Sequence, residues 1–236
     1  MVIETAETAE TAETTETAAP PCILVLGGSF DPVHLGHVAL AHSLATALQP
    51  DELRIIPVGQ QWQKNELQAT ATQRLAMLKL AFEDWQLCPV SIDEQEIIRA
   101  EQGKSNYTID TLHQLRREVG DEASMVFAMG ADQLQNLHTW RNWQALLEVA
   151  HLCAASRPGF SLDISSPDIA DIWKKNAISA LEMRTRPAGG TYLERNLAQD
   201  VSATQLRTEL KQHNPTTRLL VPHKVLDYLQ QQTIYQ

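Results

Sequence analysis

The sequence predicts an α/β fold in which a doubly wound, mostly parallel sheet carries helices on both faces. Three observations lead there. Apolar runs of strand length alternate with helix-period segments from residue 22 to residue 236. The first run, Cys22–Leu26, breaks at Gly27-Gly28 and leads within ten residues into a helical pattern. The run Ser124–Met129 is of the fully buried type and ends at Gly130-Ala131-Asp132, the kind of strand end where doubly wound sheets bind ligands.

Residues 1–21 stand apart. Glu4, Glu7, Glu10, Glu13 and Glu16 recur every third residue in a Thr-Ala-Glu repeat that ends at Pro20-Pro21. A period of three builds no apolar helical face, and threonine is a poor helix former, so a disordered, solvated acidic tail is expected. The first helix carries Leu35, Val38, Ala39, His42, Leu44, Ala45 and Leu48 on its periodic face. After the Pro50-Asp51-Glu52 turn, Leu53–Pro57 reads as a strand. Residues 58–71 lack periodicity and suggest an active-site loop. Thr72 is the expected cap of a helix bearing Leu75, Met77, Leu78, Leu80 and Ala81.

Val90–Ile92 is a short strand, and Asn106–Leu112 opens a helix with Leu112, Leu115 and Val119 inward. A helix is expected to run to Ala150 and a strand to occupy Leu152–Ser156. Pro167 is read as starting a helix through Trp173 to Leu181, and Thr191–Leu193 as a strand. Ser202 is a plausible N-cap for the next helix, and a last helix follows Pro222. No linker divides residues 22–236, which are therefore taken as one domain.

Composition excludes several classes. With 20% charged and 43% apolar residues the chain is an ordinary soluble globule. A formal charge of −10, half of it from the tail glutamates, argues against a nucleic-acid surface. No apolar stretch has the length of a membrane span, and the N-terminus lacks the basic and apolar regions of a secretion signal. Cys22, Cys88 and Cys153 are isolated and lie in or beside apolar runs, which suits reduced thiols in a cytoplasmic protein. An assembly of identical chains, a homo-oligomer, stays open.

The chemistry concentrates in Gly27-Gly28-Ser29-Phe30-Asp31-Pro32-Val33-His34-Leu35-Gly36-His37. Strand, glycine turn and helix present backbone N–H groups to a phosphate. His34 and His37, three apart at the helix mouth, share one face and can reach one ligand. A dinucleotide-binding G-x-G-x-x-G is absent. Gly103-Lys104-Ser105 ends like a Walker loop, but Ile98 occupies the first glycine position. Zinc on Asp31, His34 and His37 is the competing use, without a second Cys/His cluster to complete the shell. Histidines that merely begin a helix are the plain alternative.

This stretch resembles the HxGH signature of the nucleotidyltransferase superfamily, in its G-x-F-D-P-x-H-x-G-H form. Tyr107-Thr108, Gly130-Ala131-Asp132, Thr139-Trp140, Trp143, His151-Leu152, Arg157-Pro158-Gly159 and Ser202-Ala203-Thr204-x-x-Arg207 follow in the order found in bacterial nicotinate-nucleotide adenylyltransferases. The resemblance runs from Cys22 to the C-terminus. Two departures stand out: Gln61-Trp62-Gln63-Lys64 replaces a Pro-Pro-His-Lys-like loop, and Ala203 replaces a second serine.

The resemblance implies a Rossmann-like fold and transfer of the adenylyl group of ATP to nicotinate mononucleotide. His34, His37, Arg207 and, as an assistant, Lys64 would act on the triphosphate. Gly27, Gly28, Ser29, Phe30, Asp31, Gly36, Gly130, Asp132, Ser202 and Thr204 would bind the nucleotide. Tyr107, Thr108 and Trp140 would hold the mononucleotide. Mg²⁺ would ride on the ATP phosphates without a protein cage. Nicotinamide mononucleotide, phosphopantetheine, a CTP-dependent reaction, or nucleotide binding without turnover remain the alternatives.

Overall fold

The computed structural model describes residues 20–59, 67–155, 164, 166–194 and 201–235. The tail repeat, the segment holding Lys64 and the Arg157-Pro158-Gly159 turn lie outside them. Six strands form a single parallel sheet: β1 (Cys22–Gly28), β2 (Glu52–Pro57), β3 (Val90–Ile92), β4 (Ser124–Gly130), β5 (His151–Ala155) and β6 (Thr191–Glu194). Their spatial order is β3-β2-β1-β4-β5-β6. The chain runs outward from β1 to one edge, then restarts beside it at β4. That reversal makes the gap beyond the carboxyl ends of β1 and β4 the natural ligand crevice of such a sheet.

Why the strands look continuously apolar is clear from the packing. Along β1, Cys22, Leu24 and Leu26 enter one core while Ile23 and Val25 enter the other. On β4, Val126 and Ala128 join the first face, and Met125, Phe127 and Met129 the second. Period-two alternation thus becomes invisible when helices cover both faces. Helix α1 (Leu35–Leu48) and helix α2 (Ala71–Ala81) belong to the first layer, as does the C-terminal helix starting at His223. The second layer contains Leu112 and Leu115 from the helix Thr108–Val119, together with Leu146 and Val149.

Several helix boundaries differ from expectation, each for a local reason. Helix α2 is capped by Thr70, not Thr72: the Thr70 hydroxyl accepts from the Gln73 N–H, and Gln73 returns a bond to the Thr70 N–H. A short helix, α3 (Gln95–Glu101), was not expected; it buries Ile97 while leaving Ile98 exposed. Thr108 is the first residue of α4 (Thr108–Val119), with Tyr107 at the N-cap. The short helix α5 (Ala131–Gln135) follows β4 directly, and the segment toward Ala150 is a 3₁₀ turn, Trp143–Ala145, leading into α6 (Leu146–Val149).

The helix read from Pro167 to Leu181 is two helices, α7 (Pro167–Lys175) and α8 (Ala180–Met183). Ser179 and Glu182 form a capping box that starts the second one afresh. Ser202 caps α9 (Ala203–Lys211) as expected, its hydroxyl accepting from the Gln205 N–H at 3.2 Å. The last helix, α10, is His223–Gln231. On α1 the buried face is rotated from the one expected: Gly36, Leu40 and Ala41 are inside with Leu44, Ala45 and Leu48, while His42 is exposed.

Candidate active site

A cavity of about 440 Å³ opens beyond the carboxyl ends of β1 and β4, within the range of small-molecule sites. It has two walls. One is built from the glycine end of β1, the turn after it, the start of α1 and the start of α9, through Gly27, Gly28, Ser29, His34, Gly36, His37, Ser202 and Thr204. The other comes from the start of α4 and the segment after β4, through Tyr107, Thr108, Gly130, Asp132, Trp140 and Arg141.

On the first wall the imidazoles of His34 and His37 stack with centroids 3.7 Å apart. The His34 N–H donates to Nδ1 of His37 at 3.2 Å. A ring nitrogen that accepts carries no proton, so a neutral His37 bears its hydrogen on Nε2. Gly36 sits in a tight space: a Cβ there would lie 3.0 Å from both the His34 ring and Val201, so those side chains would have to give. The histidine turn and the start of α9 therefore meet across a bare glycine.

The resemblance implies that Phe30, through its backbone, and Asp31 bind nucleotide. Both side chains are buried, and neither lines the cavity. Phe30 is fully buried in the left-handed region, with φ of 48°, and its ring lies 4.9 Å from that of His37. Such a conformation costs a phenylalanine about 1–3 kcal/mol, which its buried ring is large enough to offset. Asp31 is spent on architecture. Its carboxylate accepts from the N–H groups of Gln68 and Ala69, each at 2.9 Å, and from the Tyr235 hydroxyl. Burial and this carboxylate together push the Tyr235 phenol well above its ordinary range. Arg74, also buried, donates to the Ser29 carbonyl at 3.0 Å.

Arg207 reaches the same turn, but from behind. Its guanidinium donates to the Asp31 carbonyl at 2.7 Å, lies 3.8 Å from the Asp31 carboxylate, and approaches the Thr204 hydroxyl at 3.4 Å. Arg207 is thus tied to Asp31, in the turn that leads to the histidine pair, but it is not among the residues lining the cavity. Ser202 lines the cavity while its oxygen caps α9, which leaves its hydroxyl hydrogen available to a ligand.

The second wall is aromatic. Trp140 meets Phe127 edge-on at 6.2 Å, and the Arg141 guanidinium lies 4.6 Å from the centroid of the Tyr107 ring. At Gly130 an added Cβ would meet nothing within 4 Å, so the glycine leaves open space beside Asp132. Sequence reasoning missed Glu96, Asn106, Thr111 and Arg141 on this side. Glu96 accepts from the Thr111 hydroxyl at 2.8 Å, and burial pushes its carboxyl above the usual range. Asn106 donates to the Glu96 carbonyl at 2.8 Å. The only available signal was adjacency: Asn106 precedes Tyr107 and Arg141 follows Trp140.

Comparison with known proteins fits this geometry. The cytidylyltransferase-like family model matches residues 25–209. A Herminiimonas arsenicoxydans protein named "Probable nicotinate-nucleotide adenylyltransferase" is 49% identical over 217 residues, covering 91% of this chain and 96% of that protein. The chain belongs to the nicotinate-nucleotide adenylyltransferase family. A Chromobacterium violaceum member with the same name is 41% identical over 214 residues, covering 89% and 97% of the two chains. Among solved structures, the Plasmodium falciparum nicotinic acid mononucleotide adenylyltransferase complexed with NaAD superposes with a TM-score of 0.70. It shares 15% identity and covers 91% of this chain and 97% of its own, which establishes the shared fold. Among the described residues of this adenylyltransferase, no helix is long and apolar enough to cross a membrane.

Proposed function

We propose that this nucleotidyltransferase transfers the adenylyl group of ATP to nicotinate mononucleotide, releasing pyrophosphate and forming deamido-NAD. The observation that carries the reading is a single cavity with a paired-imidazole helix mouth on one wall and an aromatic, hydroxyl-bearing pocket on the other. A phosphate oxygen of the mononucleotide attacks the α-phosphorus of ATP in line. The bond from that phosphorus to the bridging oxygen breaks, and pyrophosphate leaves. The nucleophile is already an anion at neutral pH, so no residue need remove a proton. Catalysis reduces to alignment and to neutralising charge on the phosphates.

In this scheme Nε2–H of His37 and the neighbouring His34 ring donate to triphosphate oxygens. Gly27, Gly28 and Ser29 line the nucleotide cleft, and Ser202, Thr204 and the start of α9 receive phosphate oxygens. Arg207 steadies the same cluster from Asp31 and Thr204, and Lys64 assists from the neighbouring segment. Trp140 stacks on the pyridine ring, while Tyr107, Thr108 and the first N–H groups of α4 take its carboxylate.

The described cavity wall suits Mg²⁺ carried by the substrate. Its carboxylates are Asp132 and Glu96, the latter engaged with Thr111. Asp132 would meet the ion's waters, and the metal's chemistry would be charge neutralisation on the phosphates. The acidic repeat in residues 1–21 is proposed as an appendage to a domain of residues 22–236, and the free thiols suit a reducing cytoplasm. A pyrophosphate-release assay with ATP, Mg²⁺ and nicotinate mononucleotide tests the reading. Turnover is expected. No release at saturation, or release only with CTP or phosphopantetheine, overturns it.

A further inference from the structure

The aromatic wall carries a charge that the scheme above does not use. Arg141 lines the cavity beside Trp140, Tyr107 and Thr108. Its guanidinium carbon lies 4.6 Å from the Tyr107 ring centroid, a cation–π distance that holds the fork against a fixed aromatic face. Tyr107 stands at the N-cap of α4, which sets its backbone at the cavity edge. Among the described lining residues Arg141 supplies the one lysine or arginine. Arg207 is committed elsewhere, to Asp31 and Thr204.

Acid and amide forms of a pyridine mononucleotide have nearly the same shape. They differ in one negative charge and in whether the substituent accepts only or also donates. Shape cannot separate such a pair, whereas a fixed cation can. A guanidinium also matches a carboxylate with two parallel N–H donors, an arrangement the amide cannot complete. We propose that Arg141 is a specificity-determining residue that selects the acid form of the pyridine mononucleotide over the amide. The proposal rests on the adenylyltransferase reading above and extends it to a residue with no role there. Because Arg141 is exposed, solvent screens it, and an effect of about tenfold is expected rather than thousands.

The test is kcat/KM for nicotinate mononucleotide and for nicotinamide mononucleotide, with saturating ATP and Mg²⁺, in the wild-type chain, Arg141→Gln and Arg141→Lys. Arg141→Gln is expected to lose about tenfold on the acid and much less on the amide, so the preference ratio collapses by nearly that factor. Arg141→Lys keeps the charge without the fork and should fall between. Added salt should lower acid turnover more in the wild type than in Arg141→Gln. Equal losses on both substrates, or an unchanged ratio, overturn the role of Arg141 while leaving the adenylyltransferase reading intact. A wild-type chain that turns over neither mononucleotide overturns the reading itself, and the proposal with it.

Discussion

The two walls of the cavity are built in opposite ways. The imidazole wall is braced from behind by buried polar side chains: Asp31 holds Gln68, Ala69 and Tyr235, and Arg74 holds Ser29. The aromatic wall is more open, with Trp140 only partly buried and Arg141 exposed. A rigid, preorganised surface suits groups that stabilise charge as it develops. A surface of rings and one exposed cation suits recognition of a flat acceptor. Damage to the first wall should therefore appear in kcat, and damage to the second in KM and substrate choice.

The largest effect expected is that of His37→Ala. Removing one preorganised donor to developing charge should lower kcat by about 10²–10³-fold with KM for ATP changed little. Steady-state pyrophosphate release reads both; a loss confined to KM would erase the contrast between the walls. Trp140→Ala should do the reverse, raising KM for the mononucleotide roughly tenfold through lost stacking while kcat holds. An unchanged KM would remove Trp140 from the acceptor pocket.

Asp31→Asn sharpens the argument about bracing. An amide replaces an oxygen facing the Gln68 N–H, Ala69 N–H or Tyr235 hydroxyl, and a buried donor loses its acceptor at a cost of about 2 kcal/mol. Thermal unfolding should shift down by about 5 °C, and kcat should fall with it because the histidine turn loosens. Tyr235→Phe should show a weaker form of both effects.

His151 offers a comparison with the cavity histidines, because it is the first residue of β5 in the same sheet yet is structural. Its Nδ1 accepts from the Gly190 N–H at 2.8 Å, so Nε2–H donates to the Arg186 carbonyl at 2.9 Å. The neutral ring satisfies both bonds, and burial holds its pKa below the ordinary imidazole value. On acidification the unfolded chain takes up this proton before the folded one does. Stability is thus retained at neutral pH and falls below about pH 6.5, by at most about 1.4 kcal/mol per unit until the folded ring titrates. A melting series from pH 7.5 to 5.5 should be shallower for His151→Gln than for the wild type. The smallest effect belongs to deletion of residues 1–20, which should leave turnover unchanged; a substantial loss would give the tail a role.

What could be read in advance follows sequence distance. The strand, glycine turn and helix mouth lie within sixteen residues, so local rules expose them. The role of Asp31 was illegible because its partners are 37, 38 and 204 residues away. Nothing in a G-x-F-D-P turn separates a carboxylate that faces a nucleotide from one that anchors the C-terminus. The aromatic wall was reached through family resemblance more than through pattern. Glu96 carries no local signature and Arg141 only its place after Trp140, and the fold alone puts both on the cavity lining. Helix α3 escaped notice because seven residues with one buried isoleucine give no sustained period.

The claim on which the account depends is that the triphosphate lies against the imidazole wall. A crystal structure of the chain with a non-hydrolysable ATP analogue tests it most directly. The account predicts phosphate oxygens within about 3 Å of Nε2 of His37 and against the start of α9. Phosphates seated instead between Tyr107 and Arg141, with the histidine pair untouched, would contradict it.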